Sequence, residues 1–416
     1  MPACLSSRAW CTLDAFVEDG PVLGRRVANT TFLRALLRAD PFDSYHFFLP
    51  DIPSGKTLSN WLEEEFPPLL RRNALRIEQQ SSLAERLAGT RYHCLHLADP
   101  LARYALAAQL RNALAPFIFP ITGVTHSLSY ARFMPEYAQH LWPGVSSRDA
   151  LMVTSKSAGL VLERIFQSIR RGYSLDPAAF PAPRLALVPL GVDMETLPDP
   201  KERWENASSQ GRAMRERLDI GDEPVFLSLS RLDPYSKMDL MPLFSAFHRA
   251  EALGLPGGGY TLILAGWAET DDELPEALRR YAASMGIRVR IRLRPTAEER
   301  RALYAAADIF VSPSDNIQET FGLTVAEAGG ASLPAIASDF DGYRDIILHN
   351  ETGLLIPTLG FAETPETDLQ ALFWFDNQYH LKLSQQTVVQ TSFLAEAIAR
   401  LGSDALLRRR MGLAAR

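Results

Sequence analysis

The strongest constraint on the fold is a repeated alternation of short apolar runs with longer helical patterns. The runs in the first half are "YHFFLPD", "YHCLHLAD", "FPITGVTHS", "DALMVTS" and "RLALVPLGVD". Those in the second half are "PVFLSLS", "YTLILAG", "VRIRL", "DIFVSPS" and "PAIASD". Segments between them, such as "DLMPLFSAFHRAEAL", keep the apolar period of helices. Strands that alternate with helices predict parallel sheets covered on both faces, so we expect an α/β protein.

Domain organisation follows from the chain length and from one break in this alternation. A chain of 416 residues favours two large domains, because domains commonly hold roughly 100 to 200 residues. The stretch from Met194 to Asp222 is polar and lacks the strand rhythm. We therefore place the boundary near residue 195, with residues 1–195 as the first domain and 196–416 as the second. Two Rossmann-like domains that face a central cleft are the simplest arrangement.

The composition excludes several classes of protein. Hydrophobic residues make up 47% of the chain and charged residues 22%, and no apolar run reaches the roughly 18 residues of a membrane-spanning helix. The first residues lack the pattern of a signal peptide, and three cysteines without metal-like spacing fit a reducing compartment, so we expect a cytoplasmic protein. The net charge of -6 argues against nucleic-acid binding. Arginine clusters at residues 71–72 and 408–410 indicate solvated helix faces, with peripheral membrane contact as the alternative.

Two positive charges follow the first predicted strand of the second domain. Ligands of parallel sheets bind beyond the carboxyl ends of the strands, and the loop "RLDPYSK" after "PVFLSLS" holds Arg231 and Lys237. A bidentate guanidinium and a compact ammonium suit a diphosphate, whose charge must be compensated when it leaves water. In the alternative interpretation, both residues are ordinary surface charges.

The stretch "SDNIQETFGLTVAEAGG" follows another predicted strand in the same way. Its helical period places Phe321, Gly322 and Leu323 in a first helical turn, where backbone N–H groups are unpaired and the macrodipole is positive. An anion is favoured at such a position. Gly322 would also let a ligand approach the backbone closely, because glycine has no Cβ.

Two carboxylates flank this turn. Glu319 precedes the helix, and Glu327 lies about two turns into it, offset by roughly 80° around the axis. Their oxygens could accept hydrogen bonds from sugar and ribose hydroxyls on either side of a phosphate. In the alternative interpretation, Glu319 only caps the helix and Glu327 faces solvent.

The order of these blocks resembles a retaining glycosyltransferase of family four, which has the GT-B fold. The resemblance runs through "LVPLGVD", "SRLDPYSK", "SDNIQETFGLTVAEA", "LPAIASDFDG" and "HNETGLLIP", and Glu319 with Glu327 matches the E-x7-E signature of that family. The chain departs from the family pattern at Gly329, Ser332 and Asp341.

This resemblance implies roles for single residues of the second domain. Glu319 would contact the donor sugar, and the backbone of Phe321–Leu323 would bind its phosphate, with Thr320 in the same donor-binding run. Glu327 would hold the ribose hydroxyls. Arg231 and Lys237 would hold the diphosphate.

In the first domain the resemblance rests on a histidine and a loop. His126, at the end of "FPITGVTHS", matches the histidine with which the family touches the donor sugar, although a lone histidine is often only structural. Gly20 and Gly24, before the helix of "GRRVANTTFLRALL", resemble a glycine-rich loop near the donor phosphate. We assign Gly24 to donor binding and Gly20 to a turn.

The resemblance implies transfer of a sugar from a UDP or GDP sugar to an acceptor hydroxyl with retention. The catalytic residues would be His126, Glu319, Arg231 and Lys237, because the two cations and the helix N-terminus oppose the charge that grows on the leaving diphosphate. No well-placed nucleophile is evident in the sequence, which favours a front-face path. We expect neither a metal nor a cofactor.

Two alternatives stay open at this stage. The pattern Asp339-Phe340-Asp341 resembles the metal-binding motif of metal-dependent glycosyltransferases. A non-enzymatic alternative is a nucleotide-sugar-binding subunit that acts through a partner. The sequence leaves the acceptor unidentified among glycans, lipid-linked sugars, proteins and small molecules, and it also allows a homo-oligomer.

Residues 361–390 form an insertion relative to the family pattern. Its apolar residues Leu372, Phe373, Trp374, Phe375 and Tyr379 are too many for a solvated loop, so we expect burial against the protein, a partner subunit or an acceptor. We also expect replacement of residues 363–388 by a short Gly-Ser linker to leave donor binding intact while altering oligomerisation or transfer. The chain ends at residue 416, before the usual final helix of the family, which indicates a truncated chain or a missing downstream domain.

Overall fold

A computed structural model describes residues 8–18, 24–199, 209–255, 259–268, 273–371 and 373–416. Gly20, predicted to form a turn, lies outside these residues. The chain divides into two compact units, Met1–Gly191 and Val192–Arg416. The division falls beside the linker expected near residue 195.

The first unit is built on a seven-stranded sheet in which all neighbouring strands are parallel. The strands follow the order β3-β2-β1-β4-β5-β6-β7. They are β1 (Ala9–Thr12), β2 (Ser44–Leu49), β3 (Leu75–Gln79), β4 (Tyr92–Leu97), β5 (Ile121–Val124), β6 (Ala150–Val153) and β7 (Arg184–Leu187).

Helices connect these strands, as right-handed crossovers between parallel strands require. The longest is Lys156–Tyr173, which begins where the Ser155 side chain accepts a hydrogen bond from the backbone N–H of Ala158. The described helices of this unit are Gly24–Ala39, Ile52–Glu65, Pro67–Arg71, Leu83–Gly89, Tyr104–Leu114, Met134–Ala138 and Lys156–Tyr173.

The second unit contains a parallel sheet of six strands in the order β10-β9-β8-β11-β12-β13. The strands are β8 (Val225–Leu229), β9 (Thr261–Gly266), β10 (Val289–Leu293), β11 (Ile309–Ser312), β12 (Ala335–Ser338) and β13 (Gly353–Ile356). The central strands β8, β11 and β12 are buried along their whole length, as expected for strands covered on both faces. The predicted α/β class with two parallel sheets is therefore confirmed.

Helices pack on both faces of this second sheet, in two hydrophobic clusters. A capping box stabilises one of these helices, Ala297–Ala306. The side chain of Thr296 accepts from the backbone N–H of Glu299, and the side chain of Glu299 accepts from the backbone N–H of Thr296. The described helices of this unit are Ser209–Arg217, Met241–Ala252, Leu274–Ser284, Ala297–Ala306, Leu323–Gly330, Tyr343–Ile346, Pro365–Gln370, Asp376–Ser384, Thr391–Ser403 and Ala405–Ala415.

The predicted insertion, residues 361–390, contains the helices Pro365–Gln370 and Asp376–Ser384. A short antiparallel pair, β14 (Thr358–Leu359) and β15 (Val388–Val389), brings its two ends together. Phe373 and Phe375 are 86% and 83% exposed, so these two are not buried against the chain itself. Leu372 lies outside the described residues.

A buried ion pair fixes one helix of the first unit to the strands. Arg111 and Asp149 are both fully buried, and Nη2 of Arg111 lies 3.0 Å from Oδ2 of Asp149. Asp149 also accepts hydrogen bonds from the hydroxyl of Tyr104 at 3.1 Å and from the backbone N–H of Ile121 at 2.9 Å. These bonds compensate the cost of removing a carboxylate from water.

We expect Asp149→Ala to lower the free energy of unfolding of the first unit by about 3–5 kcal/mol, because it leaves Arg111 charged and unpaired in the interior. Urea denaturation of the full chain measures this change. Glu276→Ala is the control, since Glu276 and its partner Arg279 are 54% and 52% exposed, and its effect should stay within about 0.5 kcal/mol. Equal effects of the two variants would contradict the assignment.

Candidate functional site

The second sheet reverses its strand order between β8 and β11. The chain runs outward from β8 to β10 on one side and from β11 to β13 on the other. Such a reversal leaves a crevice at the carboxyl ends of the two strands, which is the usual ligand site of open parallel sheets. Residues 230–240 follow β8 and are called the Lys237 loop. Residues 313–322 follow β11 and are called the Glu319 loop. Both predicted binding segments therefore leave the sheet at its reversal.

Hydrogen bonds join these two loops. The hydroxyl of Ser314 donates to the backbone carbonyl of Lys237 at 2.8 Å. The side-chain amide of Asn316 donates to the carbonyl of Tyr235 at 3.0 Å. Ser314 and Asn316 are fully buried, so both loops are held as one unit at the sheet edge.

Lys237 and Glu319 form an ion pair across the two loops, from Nζ to Oε1. The other oxygen of Glu319 accepts a hydrogen bond from the hydroxyl of Tyr343 at 2.6 Å, and this hydroxyl lies 2.7 Å from Oγ of Ser312. Only 6% of Glu319 is exposed. Both of its oxygens therefore have partners, as a buried carboxylate requires.

The charges around Glu319 keep it ionised. Burial alone would raise the pKa of Glu319, but the charge and hydrogen bond of Lys237, the Tyr343 hydroxyl and the charge of Arg231 together hold this pKa below its ordinary value. Within the described residues, the guanidinium of Arg231 forms no hydrogen bond or ion pair. The Lys237 loop therefore supplies one cation that is paired and one that is available to a ligand.

The helix after the Glu319 loop begins at Leu323, two residues later than the sequence predicted. Gly322 has a φ of 100° and is the N-cap, so Gly322 and the buried Phe321 precede the helix rather than form its first turn. A Cβ on Gly322 would lie 2.4 Å from Cε1 of Tyr343. Packing against Tyr343 therefore requires glycine here, whether or not a ligand approaches the backbone.

Glu327 does not face solvent, so that alternative is wrong. It is buried, and Nη2 of Arg300 lies 2.9 and 2.7 Å from its two oxygens, while the hydroxyl of Tyr304 donates to Oε2 at 2.8 Å. Each carboxylate oxygen can accept two hydrogen bonds, so Oε1 keeps capacity for a ribose hydroxyl. Arg300 and Tyr304 were not predicted from the sequence, although their spacing of four residues places them on the same face of one helix.

Two further carboxyl groups, one in the Glu319 loop and one after β12, have raised pKa values. Burial raises the pKa of Asp315 to about 7. Burial and the negative charge of Glu319 raise the pKa of Asp341 to about 8. Asp339, the other acid of the D-x-D pattern, pairs with Arg344 at 2.7 Å. In the described part of the chain, no three His, Cys, Asp or Glu side chains form a group that could hold a metal ion.

The two predicted site residues of the first unit lie at the carboxyl side of its sheet. Nε2 of His126, just after β5, lies 2.9 Å from the carbonyl of Ala98 and 3.0 Å from Oδ1 of Asn29, so it donates its proton to them. Burial lowers the pKa of His126, which favours the neutral ring. Gly24 is the first residue of the helix Gly24–Ala39, and a Cβ there would meet no atom within 4 Å.

Comparisons with known proteins agree with this architecture. HepE from Anabaena, solved with UDP-glucose, superposes on this chain with a TM-score of 0.54 at 15% identity. The superposition covers 97% of this chain and 98% of HepE. Sucrose-phosphate synthase from Thermosynechococcus elongatus superposes over 98% and 93% of the two chains, with a TM-score of 0.55 at 18% identity. These likenesses define the fold as GT-B, as predicted.

Sequence comparison adds a family match for part of the chain. Residues 211–360 match the family described as glycosyl transferases group 1, so the predicted relationship to glycosyltransferases is confirmed for this domain, whereas the retaining character stays a prediction.

Two sequence relatives cover different shares of the chain. A D-inositol 3-phosphate glycosyltransferase from Xylanimonas cellulosilytica is 29% identical over 51% of this chain, which spans only 46% of that relative. A GDP-mannose-dependent alpha-(1-6)-phosphatidylinositol monomannoside mannosyltransferase from Mycobacterium tuberculosis is 27% identical over 70% of this chain and 83% of its own. No helix among the described residues is long and apolar enough to cross a membrane.

We expect Gly322→Ala to lower the free energy of unfolding by about 1–3 kcal/mol, because the new Cβ meets the Tyr343 ring and the positive φ disfavours alanine. Thermal or urea denaturation measures the change. Gly172→Ala is the matched control, since a Cβ at that helical position meets nothing within 4 Å and alanine favours helix. A Gly322→Ala variant as stable as Gly172→Ala would contradict this packing.

Proposed function

We propose that this chain is a retaining glycosyltransferase that moves a sugar from a nucleoside diphosphate sugar to an acceptor hydroxyl. The observation that carries the proposal is the Lys237–Glu319 pair, with Arg231 beside it, at the strand reversal of a glycosyl transferases group 1 domain. Arg231 and Lys237 hold the diphosphate, and the start of the helix Leu323–Gly330 adds its unpaired backbone N–H groups.

In the proposed reaction, the bond between the anomeric carbon and the diphosphate oxygen breaks while the acceptor oxygen bonds to the same face of that carbon. The acceptor proton passes to the leaving phosphate oxygen. The cations of the Lys237 loop stabilise the charge that develops on this oxygen. Glu319 suits the role of a hydrogen-bond acceptor for sugar hydroxyls better than that of a nucleophile, because Lys237 and Tyr343 already hold its two oxygens.

The donor in this proposal carries UDP or GDP. HepE of Anabaena was solved with UDP-glucose, and the mycobacterial relative is named as GDP-mannose-dependent. The names of the two sequence relatives also suggest an inositol-containing or lipid-linked acceptor. Thr320 and Glu327 belong to the proposed donor site of the second unit. Gly24 and His126 are the donor-contacting residues that the family resemblance implies for the first unit, and Nδ1 of the neutral His126 ring can only accept a hydrogen bond when Nε2 carries the proton.

We expect the wild-type protein to bind UDP or GDP in calorimetry. Lys237→Ala should raise the Kd of that nucleotide about tenfold to a hundredfold, which is a loss of roughly 1.5–3 kcal/mol of binding free energy. The variant loses a phosphate contact and leaves Glu319 unpaired beside the diphosphate. Lys56→Ala removes the same charge from an exposed helical position of the first unit and should bind normally. Equal affinity of the two variants for the nucleotide would contradict the assignment of Lys237 to the site. Failure of the wild type to bind either nucleotide would contradict the proposed function.

The reaction as proposed uses no metal. Asp339 pairs with Arg344, and among the described residues no three His, Cys, Asp or Glu side chains form a group that could hold a metal ion. Sugar transfer from the donor identified by calorimetry, or its slow hydrolysis, should therefore survive EDTA. Asp341→Asn should also stay active, because asparagine resembles the protonated acid. Loss of activity in both tests, with recovery on addition of magnesium or manganese, would establish the metal-dependent alternative.

A catalytically weak nucleotide-sugar-binding subunit is the remaining alternative. The same assay discriminates it, because such a subunit would bind the nucleotide normally and show neither transfer nor hydrolysis of the donor sugar.

A further inference from the structure

One helix of the inserted segment contacts the Glu319 loop. The helix Asp376–Ser384 carries His380 and Ser384 one turn apart on the same face, and both side chains are buried. The buried side of this helix therefore faces inward while Phe373 and Phe375, just before it, are exposed.

His380 contacts the residue that precedes Glu319. Nδ1 of His380 lies 2.8 Å from Nε2 of Gln318. Because a side-chain amide nitrogen can only donate, the histidine nitrogen must be the acceptor in this bond. His380 thereby fixes the side chain of Gln318 at the point where the loop turns toward Glu319.

Ser384 contacts the residue that joins the two loops. Its hydroxyl donates to the carbonyl of His380 at 3.0 Å and accepts a hydrogen bond from Nδ2 of Asn316 at 3.0 Å. The same amide group donates to the carbonyl of Tyr235, so both of its hydrogens are used. Ser384, Asn316 and Tyr235 therefore link the insertion to both loops of the site.

We propose that His380 and Ser384 are positioning residues for the nucleotide-sugar site. They contact no donor group themselves; they hold Gln318 and Asn316, and these hold the backbone from which Glu319 and Lys237 extend. Without them, the buried amide of Asn316 and the half-buried amide of Gln318 each lose an acceptor, and the loops must move to regain hydrogen bonds. The inference rests on the proposed function and adds that the insertion is part of the donor site.

This assignment changes the expectation for the inserted segment. The sequence led us to expect that replacing residues 363–388 leaves donor binding intact and alters oligomerisation or transfer. The contacts at Gln318 and Asn316 instead link the segment to donor binding. Deletion of residues 363–388 should therefore weaken nucleotide binding.

Point variants test the contact more sharply than a deletion. We expect His380→Leu to raise the Kd of whichever nucleotide the wild type binds, UDP or GDP, about tenfold in calorimetry, the effect of one lost hydrogen bond and a shifted loop. Gln318→Leu should give a similar rise, and the double variant should bind no more weakly than either single variant. His380→Gln, which retains an acceptor, should restore most of the affinity.

The control is Gln378→Ala, an exposed position on the same helix, which should bind like wild type. Should His380→Leu fail to fold, Ser384→Ala removes a single hydroxyl and should weaken binding in the same direction. The inference is overturned if the wild type binds a nucleotide and the variants at His380 and Ser384 bind as tightly as Gln378→Ala. If the wild type binds neither UDP nor GDP, the proposed function fails, and this inference fails with it.

Discussion

The candidate site depends on keeping one buried carboxylate, Glu319, ionised. A charge removed from water costs several kcal/mol unless partners replace its hydration. Lys237 supplies the opposite charge, and Tyr343 supplies a hydrogen bond to the second oxygen. Because these partners come from different loops, the ionised carboxylate also fixes the loops to each other.

The loops that follow three strands of one sheet meet at this carboxylate. The Lys237 loop follows β8, the Glu319 loop follows β11, and the segment with Tyr343 follows β12. The backbone N–H of Gly342 donates to the carbonyl of Glu319 at 3.2 Å, so the third loop also holds the backbone. Gly342 must be glycine for this approach, since a Cβ there would lie 2.4 Å from the carbonyl oxygen of Thr320. Parallel strands make such convergence possible, because all their carboxyl ends lie at one edge.

The sequence predicted the parts of this site that are local. All ten apolar runs became strands of the two parallel sheets, whereas β1, β3 and β13 were not among these runs; β3 is only partly buried and has no clear apolar pattern. Arg231, Lys237 and Glu319 were found because each follows a predicted strand. Tyr343, Arg300 and His380 were not, since their contacts depend on strand order and on an insertion, which no local period encodes. The apolar period also cannot show that Gly322 takes a positive φ.

The charge balance of the site gives Asp341 its significance. Lys237 and Arg231 contribute two positive charges and Glu319 one negative charge, and the helix start adds about half a positive charge. The sum, about +1.5, nearly neutralises a diphosphate without a bound cation. An ionised Asp341 would lower this sum, because its electrostatic interaction with Glu319 places this acid near the site. Burial and the charge of Glu319 raise the pKa of Asp341 to about 8, which favours its neutral form at neutral pH.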